Sequence, residues 1–184
     1  ELLTQDLKSA VLLPINHLSA YALTIEEGTP FESKPYMSKE KLNLTAWLFK
    51  EIKQHGFNQY EISNFGSYKS IHNTGYWHYK DYIGLGSGAV GKLDSQRYYP
   101  TKNIENYIKN PLDIETETLS FEDKKIEKIF LGLRSYVGVS KNILNKNEIK
   151  NAFLLVDEKK LIFENDTFYN TDYLLADEIA LFIS

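Results

Sequence analysis

The segment DYIGLGSGAVGKLDSQRYY, residues 81–99, carries Gly86, Gly88 and Gly91 in the spacing G-x-G-x-x-G. That spacing belongs to the phosphate-cradling turn of dinucleotide-binding folds, where it follows a strand and opens a helix. DYIGLG can form the strand. The residues after Gly91, KLDSQRYYPTKN, have no helical period and contain Pro100, so no helix opens there. The dinucleotide reading fails on this context. Two uses remain for the glycines: close approach of backbone to a flat or charged ligand, or tight packing of one strand against its neighbours.

Upstream of the glycines, Leu2, Leu3, Leu7, Ala10 and Val11 recur at helical spacing before Pro14. INHLSAYAL, Ile15 to Leu23, reads as a strand covered on both faces, and TIEEGTPF as a loop. Ser38 is placed to cap a helix ending near Gln54, with Leu44, Leu48 and Ile52 as its buried stripe, Trp47 beside them, and Gly56 at its C-terminal end. FNQYEISNF is the next strand, ending near Ser63. Helix–strand–helix–strand order predicts parallel α/β units. Two strands and two helices do not close a sheet, and the chain starts at Glu1 in the middle of a helical pattern, so further sequence is expected upstream.

Downstream, a short helix from about Asn103 to Lys109 stops at Pro111. Polar residues from Asn110 to Thr118 mark a linker, which divides the chain into 1–112 and 113–184. Ser120 and Asp123 have capping-box form ahead of Ile126, Ile129, Phe130 and Leu133. A helical piece over Asn145–Phe153, a hairpin LIFENDTFYN turning at Asn165-Asp166, and a final helix from about Asp172 to Phe182 follow. The predicted fold is therefore α/β followed by α+β, the tail being winged-helix-like.

The 184 residues include 21 basic and 25 acidic side chains, a net charge of −4. From Ser120 to Ser184 nine Lys/Arg stand against eleven Asp/Glu. A winged helix that grips phosphates needs the opposite balance, so nucleic acid is not an expected partner. No apolar run approaches the length of a membrane span and no leader-like segment is present, which predicts a cytoplasmic protein without a transmembrane segment. With no cysteine, the chain supplies neither a thiolate nucleophile nor thiolate ligands to an iron–sulfur cluster. Thirteen Tyr and ten Phe fit core packing and flat, semi-polar surfaces alike.

His17, His55, His72 and His78 form no H-x-x-x-H pair, so no metal site built only from these side chains is expected, and no catalytic residue is assigned. His72 stands out because Asn73, Tyr76, Trp77 and His78 crowd beside it; rings, imidazole and amide together suit a flat conjugated ligand. A hydrogen-bonded loop packed on the core would use the same residues. Glu26 and Glu27 adjoin Gly28 after the first strand and fit a solvated loop. Glu61 lies within YEISN; carboxylates at the ends of parallel strands face active sites, which puts Glu61 on the substrate side. Buried, it would need a partner, and Arg97 or Lys69 could supply one.

HLSAYALTIEEGTPF, YEISNFG, HNTGYW, YIGLGSGAVG and RYY occur in this order, followed by EKIFLGLRSYVGVS. Together they resemble the C-terminal half of the oxygen-independent coproporphyrinogen III oxidase family of radical SAM proteins, and more closely its HemW-type branch of haem chaperones. The resemblance implies the C-terminal part of a partial (β/α) barrel. An upstream C-x-x-x-C-x-x-C loop would hold a [4Fe–4S] cluster, with S-adenosylmethionine on its fourth iron position. It places Thr24, Gly86, Ala89 and Val90 beside S-adenosylmethionine, and His72, Asn73, Tyr76 and Trp77, as the branch's H-N-x-x-Y-W motif, on the haem or porphyrin side. Thr24 stands where the true oxidases have alanine. Those oxidases also carry a GMDHF motif where this chain has NFGSYKSIHNTGYW, which favours the chaperone branch, with a haem-acceptor protein as partner. The alternatives are a coproporphyrinogen III oxidase and a non-catalytic docking module.

Overall fold

A computed structural model describes residues 2–38 and 42–184. The chain divides into two compact units, Glu1–Ser70 and Ile71–Ser184.

In the first unit, α1 (Leu2–Val11) follows the predicted apolar spacing and buries Leu7. β1 (His17–Ser19) is a short remnant of the predicted strand. An irregular stretch follows and ends in a 3₁₀ turn, Pro35–Met37. α2 (Leu42–Gln54) stops at Gly56, whose φ is +89° and whose N–H reaches Lys53 O at 3.0 Å. The predicted cap of α2 falls beside residues 39–41, outside the described residues. Ser38 instead donates its hydroxyl to Leu23 O at 2.7 Å.

β2 (Asn64–Gly66) pairs antiparallel with β1, with Leu18 opposite Phe65. The predicted parallel arrangement of these segments is therefore not what forms. The chain reverses within YEISN: Tyr60 N–H bonds Asn64 O at 3.2 Å and Gln59 bridges Phe65. The returning arm, not FNQYEI, meets β1. α2 packs on this ribbon through its C-terminal half, where Phe49 stands edge-on to Phe65 with ring centroids 5.0 Å apart. Ile52 is fully buried, whereas Leu44 of the predicted stripe is 44% exposed.

In the second unit, α3 (Ile71–Trp77) leads through the glycine segment into β3 (Gly91–Leu93) and β4 (Gln96–Pro100). α4 (Ile104–Lys109) is capped by Asn103, whose side chain accepts the Asn106 N–H at 2.9 Å. β5 (Ile114–Thr118) completes an antiparallel sheet in the order β3-β4-β5. The segment read as a linker is thus largely a strand: IETET is β-branched at alternate positions, and it pairs with β4 across residues 112 and 113.

α5 (Phe121–Leu133) begins in the predicted capping box, Ser120 and Asp123 exchanging bonds of 2.8 and 3.1 Å. β6 (Val139–Ser140) and a 3₁₀ turn, Lys141–Ile143, lead to α6 (Lys146–Asp157), which has a second capping box in Asn145 and Glu148. β7 (Leu161–Glu164) and β8 (Thr167–Asn170) form the predicted hairpin. Asn165 and Asp166 both adopt positive φ, +50° and +56°, the conformation of a two-residue turn. α7 (Ala176–Ile183) follows a 3₁₀ turn, Tyr173–Leu175. The second sheet runs β6-β8-β7. Ile129, Leu133, Val139, Leu161, Phe168 and Ile183 form its core against α5, α6 and α7. Among the described residues no helix is long and apolar enough to cross a membrane.

Candidate functional site

The HNTGYW motif is α3 itself. Helical spacing puts His72 and Tyr76 on one face and Asn73 and Trp77 on the next. His72 is exposed and meets the edge of Tyr76 at 4.9 Å between centroids; Tyr76 meets Tyr82 at 4.7 Å. These three rings form a ladder in T-shaped contacts, the geometry that the ring quadrupole favours. On the other faces of α3, Thr74 Oγ1 and Trp77 Nε1 are shielded and have no hydrogen-bond partner among the described residues.

α3 ends where Tyr79 takes φ +57°, Tyr79 N–H bonding Tyr76 O and Lys80 N–H bonding Gly75 O. This is the double-bonded helix stop in which glycine normally supplies the left-handed residue. A tyrosine there is strained, by about 1 kcal/mol, and is held by its surroundings. Its hydroxyl donates to Glu127 at 2.6 Å, and its ring lies between Lys92 Nζ at 4.4 Å and Lys128 Nζ at 5.2 Å. Burial, then the Glu127 hydrogen bond and charge, push the Tyr79 hydroxyl well above the ordinary tyrosine range. Arg97 binds Glu127 and, at 3.5 Å, Glu117.

The glycine segment is an excursion closed at its base. Tyr82 and Lys92 exchange backbone hydrogen bonds of 2.9 and 2.8 Å, and the buried Lys92 ammonium reaches Asp81 at 2.6 Å. The glycines divide the two uses that the sequence left open. A Cβ on Gly84 would lie 2.0 Å from Ala89 O, so Gly84 serves packing. Gly86, at φ +115°, faces space in which a Cβ would meet nothing within 4 Å, so its backbone is open to a ligand. Ala89 and Val90 are half-buried beside it, Ala89 N–H bonding Gly86 O at 3.2 Å. β3 begins at Gly91, so the helix of a dinucleotide fold is absent here, as its sequence context requires.

Thr24 and Glu61 belong to the first unit. Thr24 is exposed, in the irregular stretch after β1. Glu61 is 1% exposed, in the reversal before β2. Its partners are the Ser63 amide, which donates at 3.3 Å, and Asn64, and Asn64 in turn accepts the Ser19 hydroxyl. Arg97, one of the two cations expected to balance Glu61, pairs instead with Glu127 and Glu117. Burial holds the Glu61 carboxyl above the usual carboxylate range, against the opposing pull of these hydrogen bonds. Nearby, His17 Nε2 lies 2.9 Å from the Tyr60 hydroxyl.

The structure thus joins His72 and Tyr76 to Tyr82, and Gly86 to Ala89 and Val90, all within the second unit. The sequence reading missed Tyr79, Lys92 and Glu127. No local signal marked them, since a lysine in a short strand is ordinarily solvated and Lys92 is buried only by its tertiary contacts with Asp81 and Tyr79. Among the described residues no group of three or more His, Asp or Glu side chains is arranged to hold a metal ion.

The curated haem chaperone HemW of Lactococcus lactis is 31% identical over 151 residues, 76% of this chain and 40% of the relative. That of Buchnera aphidicola subsp. Schizaphis graminum is 31% identical over 182 residues, 90% of this chain and 48% of the relative. HemW of Bacillus subtilis is 32% identical over 155 residues. The chain belongs to the HemW-type family. This HemW-type chain spans about half the length of the curated relatives it matches. A solved structure of Escherichia coli coproporphyrinogen III oxidase, HemN, described as a radical SAM enzyme, matches with a TM-score of 0.70 over 98% of this chain and 50% of that one. Their identity is 11%, so that likeness speaks for a common fold. No family model matches the HemW-type chain.

Proposed function

We propose that the protein carrying this chain is a haem chaperone, which binds haem or a porphyrin and passes it to an acceptor protein in the cytoplasm. The observation that carries this reading is the exposed His72–Tyr76 face of α3, in a chain whose curated relatives are haem chaperones. An exposed imidazole against a tyrosine edge offers an axial nitrogen and an aromatic wall to a flat macrocycle. The relatives' names do not favour the oxidase alternative.

A [4Fe–4S] cluster with S-adenosylmethionine would supply reductive cleavage chemistry; this chain has no cysteine, so its residues would contribute only to the cofactor's surroundings. In the second unit Gly86, Ala89 and Val90 are the candidates for the adenosine side, supported by the open backbone at Gly86; Thr24 is the first unit's own candidate. Asn73 and Trp77 complete the haem-side assignment in the second unit, and Glu61 is the first unit's own candidate; the orphaned Trp77 Nε1 is a donor awaiting an acceptor. On this reading, residues 1–112 are the last part of a partial (β/α) barrel with its extension. Residues 113–184 are a winged-helix-like domain, a reading supported by the order α5, β6, α6, β7, β8 and by the β6-β8-β7 sheet.

Haem titration followed by absorption spectroscopy tests the reading. Haem is expected to bind with a spectrum that changes in His72→Ala. An unchanged spectrum in that variant would reject His72 as the iron ligand. Conversion of coproporphyrinogen III to protoporphyrinogen by reconstituted protein supplied with S-adenosylmethionine and reductant would reject a chaperone-only role.

A further inference from the structure

The second unit holds a cavity of about 310 Å³ bounded by the end of α3, β3, β4 and α5. Tyr76, Tyr82 and Phe130 give it aromatic walls. Lys80, Lys92, Arg97 and Arg134 line it against one carboxylate, Glu127. Such a site suits an anion with an apolar, conjugated body.

Most of these cations already have acidic partners, so the donors must be counted. Lys92 gives one N–H to Asp81. Arg134 commits Nε and Nη2 to Asp177 at 2.7 and 2.8 Å, which leaves Nη1 uncommitted among the described residues. Lys80 has no ion pair among the described residues. Arg134 and Asp177 are 35 and 55% exposed, so that pair is cheap to rearrange, whereas Lys92 and Arg97, 4 and 20% exposed, keep Asp81, Glu117 and Glu127. A further carboxylate can therefore be bound without leaving a buried charge unmatched.

Tyr76 belongs both to the cavity wall and to the ring ladder from His72. A flat ligand lying along that ladder would bring one edge to the cavity mouth. The volume is at the small end for ligand pockets, about 300 Å³ upward, which fits an edge with its substituents rather than a whole macrocycle. We propose that this cavity receives the carboxylate-bearing edge of the macrocycle, with Lys80 and Arg134 as counter-ions to its propionates. The proposal rests on the haem-handling reading and adds to it where, and by which end, the macrocycle is held.

The test uses iron-free protoporphyrin IX and its dimethyl ester, which separate carboxylate recognition from iron ligation. Each is titrated into the protein and into the double variant Lys80→Gln/Arg134→Gln, with circular dichroism as the check on folding. Lys80→Gln alone serves if the double variant does not fold. The acid is expected to bind more tightly than the ester, and the double variant to lose roughly fivefold in affinity for the acid alone. His72→Ala, which removes one ring of the ladder, is expected to weaken acid and ester alike and to leave the ratio of their affinities unchanged. Equal binding of acid and ester, or an unaltered acid affinity in the double variant, overturns the proposal while haem handling stands. If haem, the acid and the ester all fail to bind, the haem-handling reading falls and the proposal with it.

Discussion

The first unit and the last 65 residues are built to different standards. Residues 120–184 have two helices begun by reciprocal capping boxes, a three-stranded sheet and a continuous core including Ile129, Leu133, Val139 and Phe168, none more than 1% exposed. The first unit has one two-stranded ribbon of three-residue strands, centred on Phe49, Ile52 and Phe65. Leu12, Tyr21 and Leu23 remain 85, 78 and 56% exposed there. The last region builds a continuous buried core even though Phe121 and Leu181 stay 72 and 69% exposed, whereas the first unit buries few apolar side chains. The difference teaches that local helix signals of similar quality can sit on cores of very different depth.

Core truncation should separate the two most strongly. Phe168→Ala removes a fully buried ring that touches Phe153 and Phe163, and should cost about 3–5 kcal/mol in urea unfolding. Leu44→Ala, on the exposed end of the predicted stripe, should cost about 0.5 kcal/mol or less. Equal losses would mean that Leu44 is covered in solution and that the contrast fails.

A smaller effect lies at Glu148. It closes the α6 capping box on Asn145 and holds the buried Lys125 ammonium at 2.8 Å. Glu148→Gln should cost about 1–2 kcal/mol. Lys125, raised in pKa by Glu122 first and then by Glu148, would keep only the exposed Glu122.

The pH dependence should differ in sign between the two regions. The Glu61 carboxyl is raised above 4.5 by burial, so the folded state holds its proton longer than the unfolded chain does. Stability is then lost as pH rises from about 4.5 through the folded value, and Glu61→Gln should flatten that fall. Asp123 is lowered by its bonds with Ser120, so its contribution is complete above its ordinary value of 3.8 and disappears as pH falls through the folded value. Thermal melts of the parent and of Glu61→Gln between pH 4 and 8 would measure the first trend. A Glu61→Gln variant that still loses stability across that window would assign the fall elsewhere.

Helix starts and stops were legible from few residues because their physics is local. Ser120 with Asp123, Gly56 and Asn165-Asp166 each decide a cap or turn within four residues. The ordered motifs were enough to identify the family. The pairing of Leu18 with Phe65 was not legible, since hydrophobicity marks both strands and is silent on direction. The strand at Ile114–Thr118 was hidden by its polarity; it is exposed throughout and owes its form to β4.

The sequence by itself determined the helices other than α3, whose residues read as a loop, together with the hairpin, the family and the failure of Gly86-x-Gly88-x-x-Gly91 as a dinucleotide loop. Only the tertiary structure decided that Gly84 packs while Gly86 stays open, that Glu61 is buried beside Asn64, and that Tyr79, Glu127, Arg97 and Lys92 meet. The reason is distance along the chain. Caps and turns are settled by neighbours, whereas Tyr79 and Glu127 stand 48 residues apart and are joined only when α5 packs beside α3.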